Sequence, residues 1–121
     1  MSDRMRRVNS ILREVLAEEI ERLSDTRLEM VSVTAVDTQP NLRQATVYVD
    51  VLGEESREDA LTALHGAAKR LQAVVGAEVR LKYTPILQFA IDPGITGGER
   101  IEEILRELRG EQSEGPAMEE E

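Results

Sequence analysis

The chain has no cysteine among its 121 residues. Disulfides, thiolate nucleophiles and cysteine-ligated zinc or iron–sulfur sites are excluded, and the absence suits a reducing compartment. Tryptophan is also absent, and Phe89, Tyr48 and Tyr83 are the only aromatic rings. The core must be aliphatic, and so few rings argue against recognition through stacked single-stranded bases. No apolar run approaches the roughly 20 residues that span a bilayer. Met1–Arg7 leads into a charged helical pattern, not the apolar stretch of a secretory leader. The expectation is a cytoplasmic protein of one domain, since one core serves about 100–150 residues.

What the chain does have is charge. Twenty-four acids oppose 15 bases, a net −9, which taken whole argues against a nucleic-acid partner. The distribution reverses that. Glu111, Glu114, Glu119, Glu120 and Glu121 fall in the last twelve residues, and setting them aside leaves −4 over residues 1–109. Residues 1–13 hold Arg4, Arg6, Arg7 and Arg13 against Asp3; residues 66–89 hold Lys69, Arg70, Arg80 and Lys82 against Glu78; each stretch is +3. Arginine outnumbers lysine 13 to 2, and its planar fork favours bidentate contacts to phosphate. The plain structural alternative is arginines snorkelling along a solvated helix end, with Arg80 and Lys82 guarding an exposed strand.

Met5, Val8, Ile11, Leu12, Val15, Leu16, Ile20 and Leu23 recur at steps of three and four, which predicts a helix over about residues 3–24. Its arginines precede its acids, against the preference of the helix dipole. Ser24–Arg27 reads as an exit turn. Val31, Val33 and Ala35 alternate with polar residues as one face of a strand. After the Thr38–Asn41 break, Ala45, Val47, Val49 and Val51 form one face of a second strand, paired as a hairpin. Ser56 is the expected N-cap of a helical stretch reaching Gly76, and Gly66 within it marks a kink or a helix–turn–helix. Val79, Leu81 and Tyr83, continued by Leu87, Phe89 and Ile91, predict one long strand with Pro85 at an edge or bulge. Asp92-Pro93-Gly94 ends it. Thr96–Glu99 resembles a capping box for a short helix with Ile101, Ile104, Leu105 and Leu108 on its apolar face. Residues 110–121 should be disordered.

Little here supports catalysis. His65, the single histidine, has no partner whose placement the spacing argues, and Asp92 is explained by turn chemistry. Gly94–Glu99 lacks the Lys–Ser/Thr ending of a phosphate loop. Acid pairs such as Glu54-Glu55 and Glu102-Glu103 read as solvated faces. No enzyme activity, metal or cofactor is expected. A second function class is a protein-interaction module, whose acidic faces and final helix dock on another protein without RNA.

The run Arg80–Asp92 (RLKYTPILQFAID), with Arg7-Val8, Asp25-Thr26-Arg27 and Leu42–Val49 in the right order, closely resembles the ribosome-binding factor A family over roughly residues 4–108. The resemblance implies an α+β, KH-like fold of type II, α-β-β-α-kink-α-β, with a three-stranded sheet covered on one face by helices. Residues 1–109 would form the domain and residues 110–121 an acidic tail. It further implies binding to free or immature 30S ribosomal subunits and 16S rRNA, with support of rRNA 5′-end processing and of growth in the cold; a monomer with no membrane partner is expected. The family's Ala-x-Gly kink falls on Ala67-Ala68-Lys69, so Lys69 stands where glycine is expected and Gly66 would supply the bend. Arg4, Arg6, Arg7, Lys69, Arg70, Arg80 and Lys82 are the expected contacts to RNA phosphates.

Overall fold

The computed structural model describes residues 3–94. Helix α1 spans Asp3–Arg22 and buries Val8, Leu12, Leu16 and Ile20, the stripe its three–four spacing requires. A 3-10 turn, Thr26–Leu28, comes next, then strands β1 (Val31–Thr38) and β2 (Gln44–Val51). A second 3-10 turn, Glu54–Ser56, feeds α2 (Arg57–Gly66). Helix α3 (Ala68–Glu78) and strand β3 (Ile86–Ile91) complete the order. The expected final helix and acidic tail lie outside the described residues.

The sheet has the order β1-β2-β3, with β1 antiparallel and β3 parallel to the central β2. The element order and the mixed sheet are those of the KH-like fold. Ala45, Val47, Val49 and Val51 of β2 and Leu87 and Phe89 of β3 face the helices, where they pack with Leu12, Leu16, Leu64, Leu71 and Val75. The core is aliphatic apart from Phe89. Side chains of β2 on the other face, Gln44, Thr46, Tyr48 and Asp50, are half-buried.

Four expectations need correction. First, β1 does not keep one alternation. Val33 pairs with Val49 but Ala35 with Tyr48, so a bulge falls at Thr34. A bulge reverses the faces of the residues after it, so Val36 joins the main hydrophobic cluster while Ala35, though buried, does not. The Thr34 hydroxyl reaches both Tyr48 O (3.2 Å) and Asp92 Oδ2 (2.5 Å). Second, Ser56 stands at the start of α2, but its side chain caps nothing; the 3-10 turn leads the backbone into the helix instead. Third, residues 79–85 are not strand. Ile86 pairs with Gln44, the first residue of β2, so residues before Ile86 have no neighbouring strand. Val79 and Leu81 still pack against the core while Arg80 and Lys82 are exposed. The period-two pattern therefore reported side-chain burial correctly in a segment without a ladder.

The kink falls within Gly66–Lys69, as expected, and the fourth correction concerns only the part Gly66 plays in it. The break between α2 and α3 is at Ala67, with φ −95° and ψ 2°, a conformation open to any L-residue. A Cβ on Gly66 would meet nothing within 4 Å, so Gly66 is not what bends the chain. Lys69 sits in the first turn of α3, exposed, where no glycine geometry is called for. Gly76 is different. A Cβ there would lie 3.1 Å from Thr84 Oγ1, so glycine lets the 79–85 connection pack closely on α3.

Both sheet edges are tied to helices by side-chain amides. Asn9 Oδ1 of α1 accepts the Thr38 N–H (3.0 Å) on β1, and Gln72 Oε1 of α3 accepts the Leu87 N–H (2.9 Å) on β3. These bonds satisfy edge donors that would otherwise invite another strand. They also set direction: α1 begins, and α3 delivers the 79–85 connection, at the end of the sheet that carries the β1–β2 turn.

Candidate nucleic-acid interface

That end of the sheet is organised around the hairpin turn. Leu42 N donates to Gln39 O (2.8 Å) and Gln39 N to Gln44 O (2.8 Å). Leu42 has φ +63°, a left-handed conformation that costs a non-glycine residue on the order of 1 kcal/mol. Its side chain is buried, and burying leucine contributes about 1.5–3 kcal/mol, which offsets the strain. The next residue, Arg43, is held on both sides: its N–H donates to Asn41 Oδ1 (2.9 Å) and its C=O accepts from Ile86 N (3.0 Å). The second bond brings Arg43 to the start of β3 and so to the connection that carries Arg80 and Lys82. The Arg43 guanidinium carbon lies 4.0 Å from the Tyr83 ring centroid, over the ring, and Lys82 Nζ lies 5.6 Å from it.

The expected RNA contacts occupy three places. Arg4, Arg6 and Arg7 are exposed in the first two turns of α1, near the end of β1 through the Asn9 bond. Arg80 and Lys82 are exposed on the 79–85 connection. Lys69 and Arg70 open α3, just past His65, whose ring meets Phe89 edge-on at 5.7 Å. Phe89 pairs with Val47, so the α2–α3 joint lies beside mid-sheet and not at the hairpin-turn end. Two expected patches thus share an end and the third stands apart.

Arg43 was missed by sequence reasoning. It sits alone between Leu42 and Gln44 on a strand pattern, and nothing local signals that Ile86 pairing will carry it to Tyr83. The available signal was its place immediately after a turn.

The cations also divide by partner. Arg22 meets Glu19 (3.2 Å) and Glu18 (3.8 Å), Arg27 meets Asp25 (2.7 Å), and Arg57 meets Glu54 (3.9 Å). Asp25 grips Arg27 through the backbone N–H as well (2.9 Å), and the Arg27 side-chain hydrogen bonds hold its carboxyl below the usual carboxylate range. Among the described residues these are the ion pairs. Arg4, Arg6, Arg7, Arg43, Lys69, Arg70, Arg80 and Lys82 are in none of them. No group of three histidine, aspartate or glutamate side chains among the described residues could hold a metal ion, and no described helix is long and apolar enough to cross a membrane.

Residues 4–105 match the model of the family described as Ribosome-binding factor A. A protein of that name from Rubrobacter xylanophilus is 43% identical over 122 residues, covering 99% of this chain and all of that protein. The crystal structure of ribosome-binding factor A from Thermus thermophilus superposes with a TM-score of 0.67 at 37% identity, covering 72% of this chain and 94% of that one. A homology model of the Thermus thermophilus protein, fitted into a cryo-EM map of a 30S complex, superposes with a TM-score of 0.59 at 39% identity, covering 68% and 88%. Matched along nearly its whole length in sequence and over its described fold, the chain belongs to the ribosome-binding factor A family.

Proposed function

We propose that this chain binds the small ribosomal subunit during its assembly, contacts 16S rRNA in the immature 30S particle, and supports maturation of the rRNA 5′ end without catalysing a reaction. It acts in the cytoplasm as a monomer. Family membership and the 30S complex of the Thermus thermophilus relative support the subunit as partner. One observation supports RNA as the surface contacted. The exposed cations at the start of α1, at the α2–α3 joint and on the 79–85 connection lack carboxylate partners among the described residues, while Arg22, Arg27 and Arg57 have them. Unpaired arginines and lysines are free to displace counterions from phosphates. Arg4, Arg6, Arg7, Lys69, Arg70, Arg80 and Lys82 position the chain on the rRNA backbone, and the acidic tail limits nonspecific binding.

Co-sedimentation with purified 30S subunits across a salt series tests this. With about six phosphates engaged, the log–log slope of affinity against salt is expected near −4 to −6, and Lys69→Glu/Arg80→Glu should lose binding. Equal, salt-insensitive binding by both proteins would overturn the RNA contact. In that case truncation at Gly110, or disruption of Leu105 and Leu108, should abolish binding, as a protein-interaction module requires.

A further inference from the structure

We propose that Arg43, Tyr83 and Lys82 form a clamp for one RNA phosphodiester, with Arg43 and Lys82 as ligands and Tyr83 as the positioning residue whose ring both approach. The clamp rests on the RNA-binding reading above and adds two residues to it. Its basis is a convergence that the hairpin and the 79–85 connection make only in three dimensions. Two cations from different elements share one aromatic ring, at 4.0 Å and 5.6 Å from its centroid.

Both cations are exposed, and neither is in an ion pair with a described carboxylate. A cation over a ring is held by the ring's quadrupole. A guanidinium held this way keeps its N–H edge available for two oxygens of an oxyanion. The backbone of Arg43 is fixed by Asn41 on one side and Ile86 on the other, so much of the ordering that binding requires is complete before the ligand arrives. Two like charges drawn to one ring repel, and an anion bound beside them lowers that repulsion.

A carboxylate of the chain's own could have filled this place, as at Arg22, Arg27 and Arg57, but none of the described residues puts one there. The other unpaired cations of this end, Arg4, Arg6, Arg7 and Arg80, extend the positive surface beyond a single contact. Repeated phosphates along a strand match that extension, which an isolated acidic side chain does not. The clamp therefore reads backbone and not sequence.

Filter binding of the full chain to a 16S rRNA transcript, repeated across a salt series, tests the clamp with Arg43→Ala, Tyr83→Leu and Tyr83→Phe. Both positions are exposed enough for the fold to persist, which circular dichroism verifies. Arg43→Ala should weaken binding and make the salt slope shallower by about 1. Tyr83→Leu should weaken binding about two- to fivefold with little change in slope, because both charges remain. Tyr83→Phe keeps the ring and should bind like the wild type. In the Tyr83→Leu background, Arg43→Ala should cost less than it does alone.

Wild-type affinity and slope in every variant would overturn the clamp while leaving RNA binding intact. Tyr83→Phe as weak as Tyr83→Leu would overturn the role of the ring. Poly-L-glutamate binding that Arg43→Ala loses while RNA binding stays unchanged would assign the cations to an acidic protein, again against the clamp. A wild-type chain that binds neither the transcript nor 30S subunits would overturn the RNA reading itself, and the clamp with it.

Discussion

At one end of the sheet, where β1 begins and β2 ends, Arg22, Arg27 and Arg57 each meet a carboxylate at 3.2, 2.7 and 3.9 Å. At the opposite end, around the hairpin turn, Arg43 and Lys82 meet a tyrosine ring instead. Residue type does not separate the two ends, since both are rich in arginine. Nor does sequence distance to an acid: Glu19 lies three residues before Arg22, Asp25 two before Arg27 and Glu54 three before Arg57, but Asp3 likewise lies three before Arg6 and Glu78 two before Arg80, where no ion pair forms. What separates them is whether the folded chain brings the acid onto the cation, as it does at Arg22, Arg27 and Arg57. The other end is assembled from α1, the β1–β2 turn and the 79–85 connection, and its cations come without such pairs.

The largest expected effect comes from reversing charge at the unpaired end. Arg80→Glu/Lys82→Glu should reduce 30S binding more than tenfold by co-sedimentation, with thermal stability changed by no more than about 0.5 kcal/mol because both sites are solvated. The matched control, Arg22→Glu/Arg57→Glu at the paired end, should leave binding within about twofold. Equal losses from both pairs would dissolve the distinction between the ends. A second experiment loosens the unpaired end without touching charge. Gln72→Ala removes the acceptor of the Leu87 N–H and should destabilise the fold by about 1–2 kcal/mol in urea denaturation. It should also weaken 30S binding, because α3 then holds the 79–85 connection less firmly.

The joint between α2 and α3 offers a test of opposite sign. Gly66→Ala should stabilise the chain by about 0.5–1 kcal/mol, seen as a higher melting temperature, since Gly66 is helical and a Cβ there has open space. Unchanged 30S binding in that variant would sharpen the conclusion that the bend belongs to Ala67. Smallest is a pH effect at the paired end. The Arg27 hydrogen bonds depress the Asp25 carboxyl below its ordinary value of 3.8 in the folded chain. Its contribution to stability is therefore complete above that value and lost as pH falls through the lower folded value. Urea midpoints of the wild type should drop slightly more than those of Asp25→Asn when pH is taken from neutral to below 3.8. The difference is small because the pair is exposed and screened.

Much of the fold was legible because its signals are local. The three–four stripe of α1 from Val8 to Ile20 and the alternation Ala45–Val51 each specify an element and its buried face, and both faces are the ones found, except that Ile11 of the expected α1 stripe is exposed. Local pattern failed where pairing decides. The bulge at Thr34 is invisible in Val31–Ala35, since a single inserted residue leaves the same alternating letters. Residues 79–85 alternate like a strand because Val79 and Leu81 pack inward, yet a strand exists only where a neighbour supplies a ladder. The charged patches were legible as composition, but which of them share an end was not.

By itself the sequence determined the described helices, the existence of the three strands, the aliphatic core and the segregation of arginine from acid, because each depends on residues a few positions apart. Tertiary structure decided the rest. The parallel register of Ile86 on Gln44 started β3 only after the basic residues, set Arg43 over the Tyr83 ring, and left the α2–α3 joint apart at mid-sheet. Those placements depend on hydrogen bonds between segments far apart in the chain, which no local pattern encodes.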